Sequence, residues 1–246
     1  MDLIILGLAV LPVIALAIYI YKKDKYEKEP PIMLMLAFFL GILSIPLDLF
    51  VVSIIESVIG GNSVFYNAFW TAGIPEEFCK WVLFMLVIWR NKNFDEPFDG
   101  LVYACFIGLG FACIENIMYV FSSATISQAM HTGVMRALLS VPGHFLFAVM
   151  MGYFFGMAKF RPEHRTKYLI LSYVVPMVAH GLFDYLLMLS DALSETNLAW
   201  MSGLFLILFI YFDIKMWKVG VRRIAKMQEN TRIEHNNQIF KNIFKS

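Results

Sequence analysis

The sequence predicts an all-α fold, namely a polytopic membrane bundle of about seven transmembrane helices. Three observations predict it. The 246 residues are 59% hydrophobic and only 16% charged, whereas soluble domains carry about 25% charged residues. The mean hydropathy is +0.67. Apolar runs of about 20 residues, the length needed to cross a roughly 30 Å hydrocarbon core, follow one another along the chain.

The first apolar run contains no basic residue before Lys22 and no small-residue cleavage site, so we interpret it as a retained helix rather than a signal peptide. Six similar runs follow it. The predicted membrane segments are 2–21, 32–58, 64–90, 99–122, 136–158, 167–189 and 197–217. Residues 1–220 are therefore expected to form one integral-membrane domain, followed by a basic tail at 221–246.

The third segment is irregular because Gly73 and Pro75 interrupt it. Proline fits the first turn of a helix but disrupts its interior, so we expect the span to start near Pro75 and residues 64–73 to be interfacial or re-entrant. Glu76 and Glu77 then fall in the first helical turn, where the helix dipole favours negative charge. Irregular backbone at membrane depth is tolerated where it lines a wet cavity, which we predict here.

The connections between segments show a one-sided pattern of positive charge. Lysine and arginine occur in the connections 22–31, 90–98 and 159–167 and in the tail, whereas the alternate connections 59–63, 123–135 and 190–196 contain neither. By the positive-inside rule, the N-terminus lies outside and the C-terminus in the cytoplasm. The sequence thus predicts a multi-pass protein of the cell membrane.

Charge and cysteine content argue against two other classes. The formal net charge of +1 does not favour a nucleic-acid partner. The three cysteines, Cys79, Cys105 and Cys113, lie within apolar runs, so a disulfide framework is not expected. The tail alternates Ile and Phe with basic residues, which fits either a surface helix on anionic lipid or a solvated tail. The lipid bilayer is therefore one expected partner.

Charged and titratable residues occur within the predicted spans, where they are rare and each one suggests a functional site. The candidates we take from the spans are Asp48, Glu76, Glu77, Lys80, Glu115, His144, His180 and Asp184. At about 1.5 Å per residue, those of the three later helices lie about 8 to 14 Å below the outer surface, and Glu76 and Glu77 lie between that surface and mid-membrane. Structural polar residues scattered over four helices would not need to share a depth. The shared layer therefore indicates one site in the outer half of the membrane.

Spacing within the helices adds detail. Glu76 and Lys80 are four residues apart and can form an ion pair, whereas Glu77 projects about 100° away. One carboxylate would then be paired and the other free for chemistry. His180 and Asp184 share a helix face in the same way. Taken singly, each of these pairs also fits a structural role, and so does Asp48.

The set allows two kinds of hydrolytic chemistry. A carboxylate beside two imidazoles can activate a water molecule, and a histidine can donate hydrogen bonds to a developing oxyanion. No serine or cysteine is clearly placed against a histidine for nucleophilic attack. Glu76, His144 and His180 also match the ligand types of a catalytic zinc site, although no His-x-x-x-His spacing occurs. No cofactor is certain, and a divalent metal such as zinc stays open.

Four motifs in order also carry a resemblance to a known family. They are Glu-Glu-x-x-Lys (76–80), Phe-x-x-x-Glu-Asn (111–116), Pro-Gly-His (142–144) and His-x-x-x-Asp (180–184). The chain resembles the PrsW family of intramembrane proteases over residues 75–184, and more distantly the CaaX-prenyl endopeptidase and bacteriocin-processing superfamily. The resemblance implies a stress-response protease that makes the first (site-1) cut, near the extracytoplasmic face, in a membrane-anchored anti-sigma factor.

The resemblance also implies roles by position. Glu76 would activate water, with Glu77 and Lys80 in support. Glu115, followed by Asn116 as a supporting residue, would be the second group in contact with the water. His180 with Asp184 would steady the oxyanion, and His144 would complete the polar pocket. The CaaX branch typically has a histidine at position 115 and an asparagine at 184, so the residues present here suit the PrsW branch.

Two other classes of function remain open from sequence alone. A proton-coupled transporter could use Glu76, Glu115 and His180 as a relay, but the chain shows no inverted repeat. A non-catalytic scaffold or sensor of the same fold is the other. Glu76→Gln distinguishes them: a protease loses cleavage, a transporter loses flux, and a scaffold is unaffected.

Overall fold

The computed structural model describes residues 2–243, with side chains described for residues 3–237. Every regular element in this part of the chain is helical. Eight α-helices occur there: α1 (Asp2–Lys23), α2 (Pro31–Val58), α3 (Ile74–Leu83), α4 (Asp99–Phe121), α5 (Ile126–Leu138), α6 (Ser140–Phe160), α7 (Arg165–Ser194) and α8 (Ala199–Ile243). Two π-helical stretches, Tyr66–Gly73 and Phe84–Ile88, flank α3, and a 3₁₀ turn, Pro162–His164, precedes α7.

The all-helical prediction is confirmed, and the length and apolarity of the helices fit a multi-pass membrane protein. Within the described residues, five stretches are long and apolar enough to cross a bilayer: Leu3–Lys23, Pro31–Val58, Asp99–Phe121, Ile126–Phe160 and Pro162–Ser194. The number of crossings and the orientation of the termini stay predictions.

The third predicted segment is one continuous helical path with changes of pitch. Tyr66–Gly73 is π-helical and runs directly into α3, where the Ile74 amide donates to the Phe69 carbonyl. Pro75, Glu76 and Glu77 lie in the first turn of α3, as predicted. Proline cannot donate a backbone hydrogen bond and crowds the preceding turn, and a wider π-helical turn accommodates it without a break.

The connection at 123–135 is not the loop that the sequence suggested. Its residues form most of α5, which begins after Thr125, whose hydroxyl accepts a hydrogen bond from the Gln128 amide at 3.2 Å. The next helix, α6, starts at Ser140 instead of the predicted position 136. A short amphipathic helix with a threonine N-cap lacks the long apolar run by which the other segments were recognised.

The basic tail continues α8 without a break at position 221. Ile224, Met227 and Thr231 are buried against the rest of the protein. The Gln228 side chain donates to the Lys23 carbonyl at 2.5 Å, and Thr231 Oγ1 accepts from the Phe98 amide at 3.1 Å. The first part of the tail thus packs on the two connections at 24–30 and 89–98, rather than lying free on lipid or in solvent.

Two glycine contacts bring the helices that carry polar residues together. A Cβ on Gly41 of α2 would lie 2.7 Å from the Phe111 amide nitrogen of α4. A Cβ on Gly73 would lie 2.8 Å from the Gly181 nitrogen of α7. Backbones can approach this closely only where side chains are absent. The first contact fixes α2 against α4, and the second places the start of α3 beside His180.

Candidate active site

The α3 helix contributes two carboxylates and an ammonium group that contact one another. Lys80 Nζ lies 2.8 Å from Glu77 Oε1 and 3.3 Å from Glu76 Oε2. All three residues are buried, Glu77 the most completely at 1% exposure and Glu76 at 7%. The sequence predicted the Glu76–Lys80 pair, but Lys80 bridges both glutamates and lies closer to Glu77. Glu76 is therefore the less tightly paired carboxylate.

His144 of α6 connects α3 to α4. Its Nε2 lies 2.7 Å from Glu115 Oε2, and its Nδ1 lies 3.4 Å from Lys80 Nζ. Because the lysine ammonium can only donate, Nδ1 accepts from Lys80 and the Nε2 proton points to Glu115. Lys80 Nζ also lies 3.8 Å from the centre of the Phe111 ring, a cation–π contact. The predicted residues of α3, α4 and α6 thus form one network.

His180 of α7 completes this network. Its Nδ1 lies 3.1 Å from Glu77 Oε1, and its Nε2 lies 3.3 Å from Asp184 Oδ2, one turn further along the helix. Phe147 stacks on the imidazole with ring centres 4.5 Å apart. Both nitrogens face carboxylates, so the ring is held in orientation from two sides. The structure therefore brings together all six residues predicted as catalytic, and Lys80 with them.

Arg136 is a site residue that the sequence reasoning missed. Its Nη2 lies 2.7 Å from Glu115 Oε2, and its Nε donates to Asn116 Oδ1 at 2.8 Å. Asn116 in turn donates to the Ala9 carbonyl of α1 at 2.9 Å. Asn116 therefore supports the site by holding Arg136. A lone arginine next to a stretch without Lys or Arg was the available signal.

Two cavities meet at the network. The first, about 470 Å³, lies between α2 and α4. The second, about 280 Å³, lies towards α5, α6 and α7 and includes Arg136, His144, His180 and Asp184 in its wall. Thr71, Glu76, Glu115 and Tyr119 line both. An extended peptide that occupied both cavities would therefore pass over Glu76 and Glu115.

The same residues have the composition and the spacing of a metal site. One ligand atom from each of Glu76, Glu77, His144 and His180 fits within a group whose members all lie within 4.8 Å of one another. Each histidine also has its other ring nitrogen on a carboxylate, Glu115 for His144 and Asp184 for His180. Histidine ligands of metals typically make this outer contact. The donor set therefore fits a divalent metal.

Lys80 affects how readily these residues could bind a metal. Its ammonium contacts Glu76, Glu77 and His144, three of the four candidate ligands, at 2.8 to 3.4 Å. A positive charge thus already stands among the donors, where a metal ion would be expected. The lysine side chain and a metal would compete for these ligands.

The chain is similar to known membrane proteases. A family model described as "PrsW family intramembrane metalloprotease" matches residues 29–213. The chain is 34% identical to the protease PrsW of Oceanobacillus iheyensis, over 93% of this chain and 98% of that protein. It is 35% identical to the Bacillus subtilis protein, over 90% and 94% of the two chains. No solved structure matches.

The family model covers most of the chain, and these relatives are of nearly equal length. The chain is a multi-pass membrane protein and belongs to the PrsW family of intramembrane proteases.

Proposed function

We propose that this protein is an endopeptidase in which Glu76 activates a water molecule to hydrolyse a peptide bond of a membrane-anchored substrate. One observation carries the proposal: Glu76 and Glu115 both belong to the lining that two cavities share. A peptide passing from one cavity to the other presents its backbone to these carboxylates. No other carboxylate borders both cavities in the described part of the chain.

Glu76 acts as the general base. Its carboxylate takes a proton from water while the water oxygen forms a bond to the carbonyl carbon of the substrate. The C–N bond then breaks, and the proton held by Glu76 passes to the departing amine nitrogen. Glu76 suits this role better than Glu77, because it is more exposed and lies farther from Lys80.

His180 stabilises the negative charge that develops on the carbonyl oxygen. Glu77 at Nδ1 and Asp184 at Nε2 keep the imidazole oriented. The contact to the half-buried Asp184 is the longer one, 3.3 Å, so the Nε2 proton can be shared with an oxyanion in the second cavity.

Glu115 is the second carboxylate in contact with the water. His144 and Arg136 both approach its Oε2, which leaves Oε1 to accept a hydrogen bond from the water. Removing the partners of Glu115 would leave its charge unbalanced at the cavity wall. His144 and Arg136 therefore position Glu115 rather than react themselves.

Glu76, Glu77, His144 and His180 would hold a divalent metal if one binds. A bound metal supplies Lewis-acid polarisation of the carbonyl and lowers the pKa of water. Glu115 and Asp184 would still orient His144 and His180.

The substrate is an anti-sigma factor or a similar protein with a single membrane span, cut at site 1 near the extracytoplasmic face. The family resemblance supports this choice. The charge pattern of the connections supports it too, because it orients seven crossings with the N-terminus outside and the site in the outer half of the membrane.

The test uses purified protein in liposomes with a panel of single-span substrates. We compare the wild type, Glu76→Gln, His180→Ala and Glu163→Gln, each with and without a strong chelator. Glu163 is exposed in the 3₁₀ turn, far along the chain from the site, and provides a matched control. Glu76→Gln should lower kcat by about 100-fold or more, since loss of a general base costs about that much.

Cleavage by wild type and Glu163→Gln alone, unchanged by chelator, supports water activated by Glu76 without a metal. Loss of cleavage on chelation and recovery with zinc assigns the same residues to a metal centre. Equal cleavage by all four proteins refutes the proposal, because the activity would then not depend on this site.

A further inference from the structure

The first cavity contains an acidic residue that the catalytic scheme does not use. Asp48 of α2 lines this cavity, is 8% exposed, and its Oδ1 is buried without a hydrogen-bond partner. A buried carboxylate without partners costs several kcal/mol, roughly. The cost would be offset by a cationic or hydrogen-bonding partner, and such a partner could reach Asp48 through the cavity beside it.

The charges around this cavity are not balanced. Glu76 and Glu115 also line it, but they are paired with Lys80 and with Arg136. Asp48 and Glu56 make no ion pair among the described residues, and the lining contains no lysine, arginine or histidine. Two carboxylates without a cationic partner therefore face one space.

The two acidic residues lie at different depths on the same helix. Asp48 and Glu56 are separated by eight residues, which corresponds to about 12 Å along the axis of α2. Asp48 is buried, whereas Glu56 is exposed near the outer end of the helix. A cation entering from outside would meet Glu56 first and Asp48 further in.

Most of the remaining wall is apolar and suits the stem of a long side chain. Ile45, Leu49, Val52, Phe111 and Met118 supply this surface. Lysine and arginine bury their methylene groups on apolar surface while the charged head reaches a polar partner. The volume of about 470 Å³ exceeds that of one such side chain and leaves room for the adjoining backbone.

We propose that this cavity is a specificity subsite that binds a lysine or arginine of the substrate close to the scissile bond, with Asp48 as its inner partner and Glu56 at its mouth. The inference rests on the proposed function, since Glu76 and Glu115 at the inner boundary of the cavity mark the position of that bond. The second cavity differs because its lining also includes the basic side chains Arg136, His144 and His180.

The test varies the substrate first and the enzyme second. Single-span substrates carry Lys, Arg or Gln at each of the positions flanking the cleaved bond, and the cut is located by mass spectrometry. The wild type should prefer Lys or Arg over Gln at one position by at least tenfold in kcat/KM, because losing one partner of a buried charge pair costs at least about that factor.

Asp48→Asn should reduce this preference to about twofold or less, and Glu56→Gln should reduce it partly, since an exposed pair contributes little. Asp191→Asn, the same change at an exposed residue of α7 outside both cavities, should keep the full preference. A preference retained in Asp48→Asn, or no charge preference in the wild type, overturns the subsite.

Measuring substrate affinity without cleavage tests the subsite independently of the proposed protease activity. In Glu76→Gln protein, which should bind without cutting, the Lys substrate should bind at least tenfold more tightly than the Gln substrate, and adding Asp48→Asn should abolish the difference. If the wild type cuts nothing but this difference is found, the proposed function fails and the subsite stands. Equal binding of the two substrates overturns the subsite even if cleavage is normal.

Discussion

Glu115 of the candidate site is held by contacts to a single carboxylate oxygen. A single oxygen, Oε2, receives both the Nε2 proton of His144 and the Nη2 group of Arg136, each at 2.7 Å. Arg136 itself is fixed by Asn116, whose amide is bound to α1. Three helices besides α4 therefore determine the position of one carboxylate, and the arginine is the least replaceable part of this chain of contacts.

Arg136→Gln should lower kcat/KM by about tenfold or more, because breaking a partly buried ion pair by removing one partner typically costs a few kcal/mol. Arg136→Lys should recover only part of the activity, since lysine cannot reach Asn116 and Glu115 with separate nitrogens of one planar group. Cleavage assays in liposomes measure both. Arg161→Gln, at an exposed arginine after α6, is the control. Full activity of Arg136→Gln would exclude a positioning role.

The position of Lys80 leads to a second prediction, which concerns the affinity of the site for zinc. Its ammonium contacts three of the four candidate ligands. Removing this charge in Lys80→Met should raise zinc affinity at least about tenfold, since like charges repel strongly where water is excluded. Competition with a fluorescent chelator measures the affinity without reference to activity. Lys167→Met, at an exposed lysine of α7, should change nothing. Equal zinc affinity of wild type and Lys80→Met would contradict the overlap of lysine and metal positions.

At the scale of elements, the contact between the start of α3 and α7 determines whether the site assembles. Glu76 and Glu77 follow Gly73 by one helical turn, and His180 precedes Gly181 by one residue. The two glycines therefore bring the glutamates and the histidine within hydrogen-bond distance. The π-helical turn ahead of Pro75 keeps the path of the chain continuous at this contact.

Gly73→Ala should reduce activity more than stability. Its Cβ would lie 2.8 Å from the Gly181 nitrogen, so α3 and α7 must move apart. Overpacking of this kind costs about 1 to 3 kcal/mol of stability, whereas displacing catalytic groups by about 1 Å can cost about 100-fold in rate. Thermal unfolding in detergent and cleavage in liposomes measure the two effects. Gly203→Ala in α8, where nothing lies within 4 Å of the new Cβ, is the matched control. Normal activity of Gly73→Ala would show that the site tolerates this separation.

The sequence was sufficient to predict most helices and the polar network, but not all of either. Long apolar runs identified α1, α2 and α4 closely, because membrane spans must be long and apolar. The helix α5 was missed because it is short and amphipathic. Arg136, which lies on α5, was missed because its partner Glu115 lies on another helix and sequence spacing does not relate the two. The role of Glu77 as the main partner of Lys80 depends on side-chain rotamers that spacing does not determine.

At the scale of the whole molecule, α8 packs against the connections at 24–30 and 89–98, at the end of the bundle where the connections contain Lys and Arg. Acidic side chains are buried there, among them Asp24 and Glu96. Burial, reinforced by the nearby Asp99 and Asp24 carboxylates, raises the pKa of Glu96 to about 8. Burial also raises the pKa of Asp24 to about 6. These groups therefore hold protons in the folded protein at pH values where the unfolded chain has lost them.

The sign of the resulting pH dependence follows from this difference. Because the folded state binds more protons, the free energy of unfolding should fall as the pH rises from about 4.5 to about 8. Glu96→Gln mimics the protonated form, so its melting temperature relative to the wild type should rise across this range. Thermal unfolding in detergent between pH 5 and pH 8 measures it. Glu163→Gln should show a difference that does not vary with pH. If the melting temperatures of Glu96→Gln and wild type changed in parallel with pH, the pKa of Glu96 would not be raised in the folded protein.

The orientation of the whole bundle can be tested by cysteine labelling, because Cys79, Cys105 and Cys113 are free and buried and should not react. Single cysteines are introduced at four exposed connections as Asn62→Cys, Ala124→Cys, Lys25→Cys and Glu163→Cys. If the positive-inside rule orients the chain as predicted, a membrane-impermeant maleimide labels the first two in intact cells and the last two only after permeabilisation. The opposite pattern would place the cavities towards the cytoplasm. A site-1 cut near the extracytoplasmic face would then be excluded, although the chemistry of the site would be unchanged.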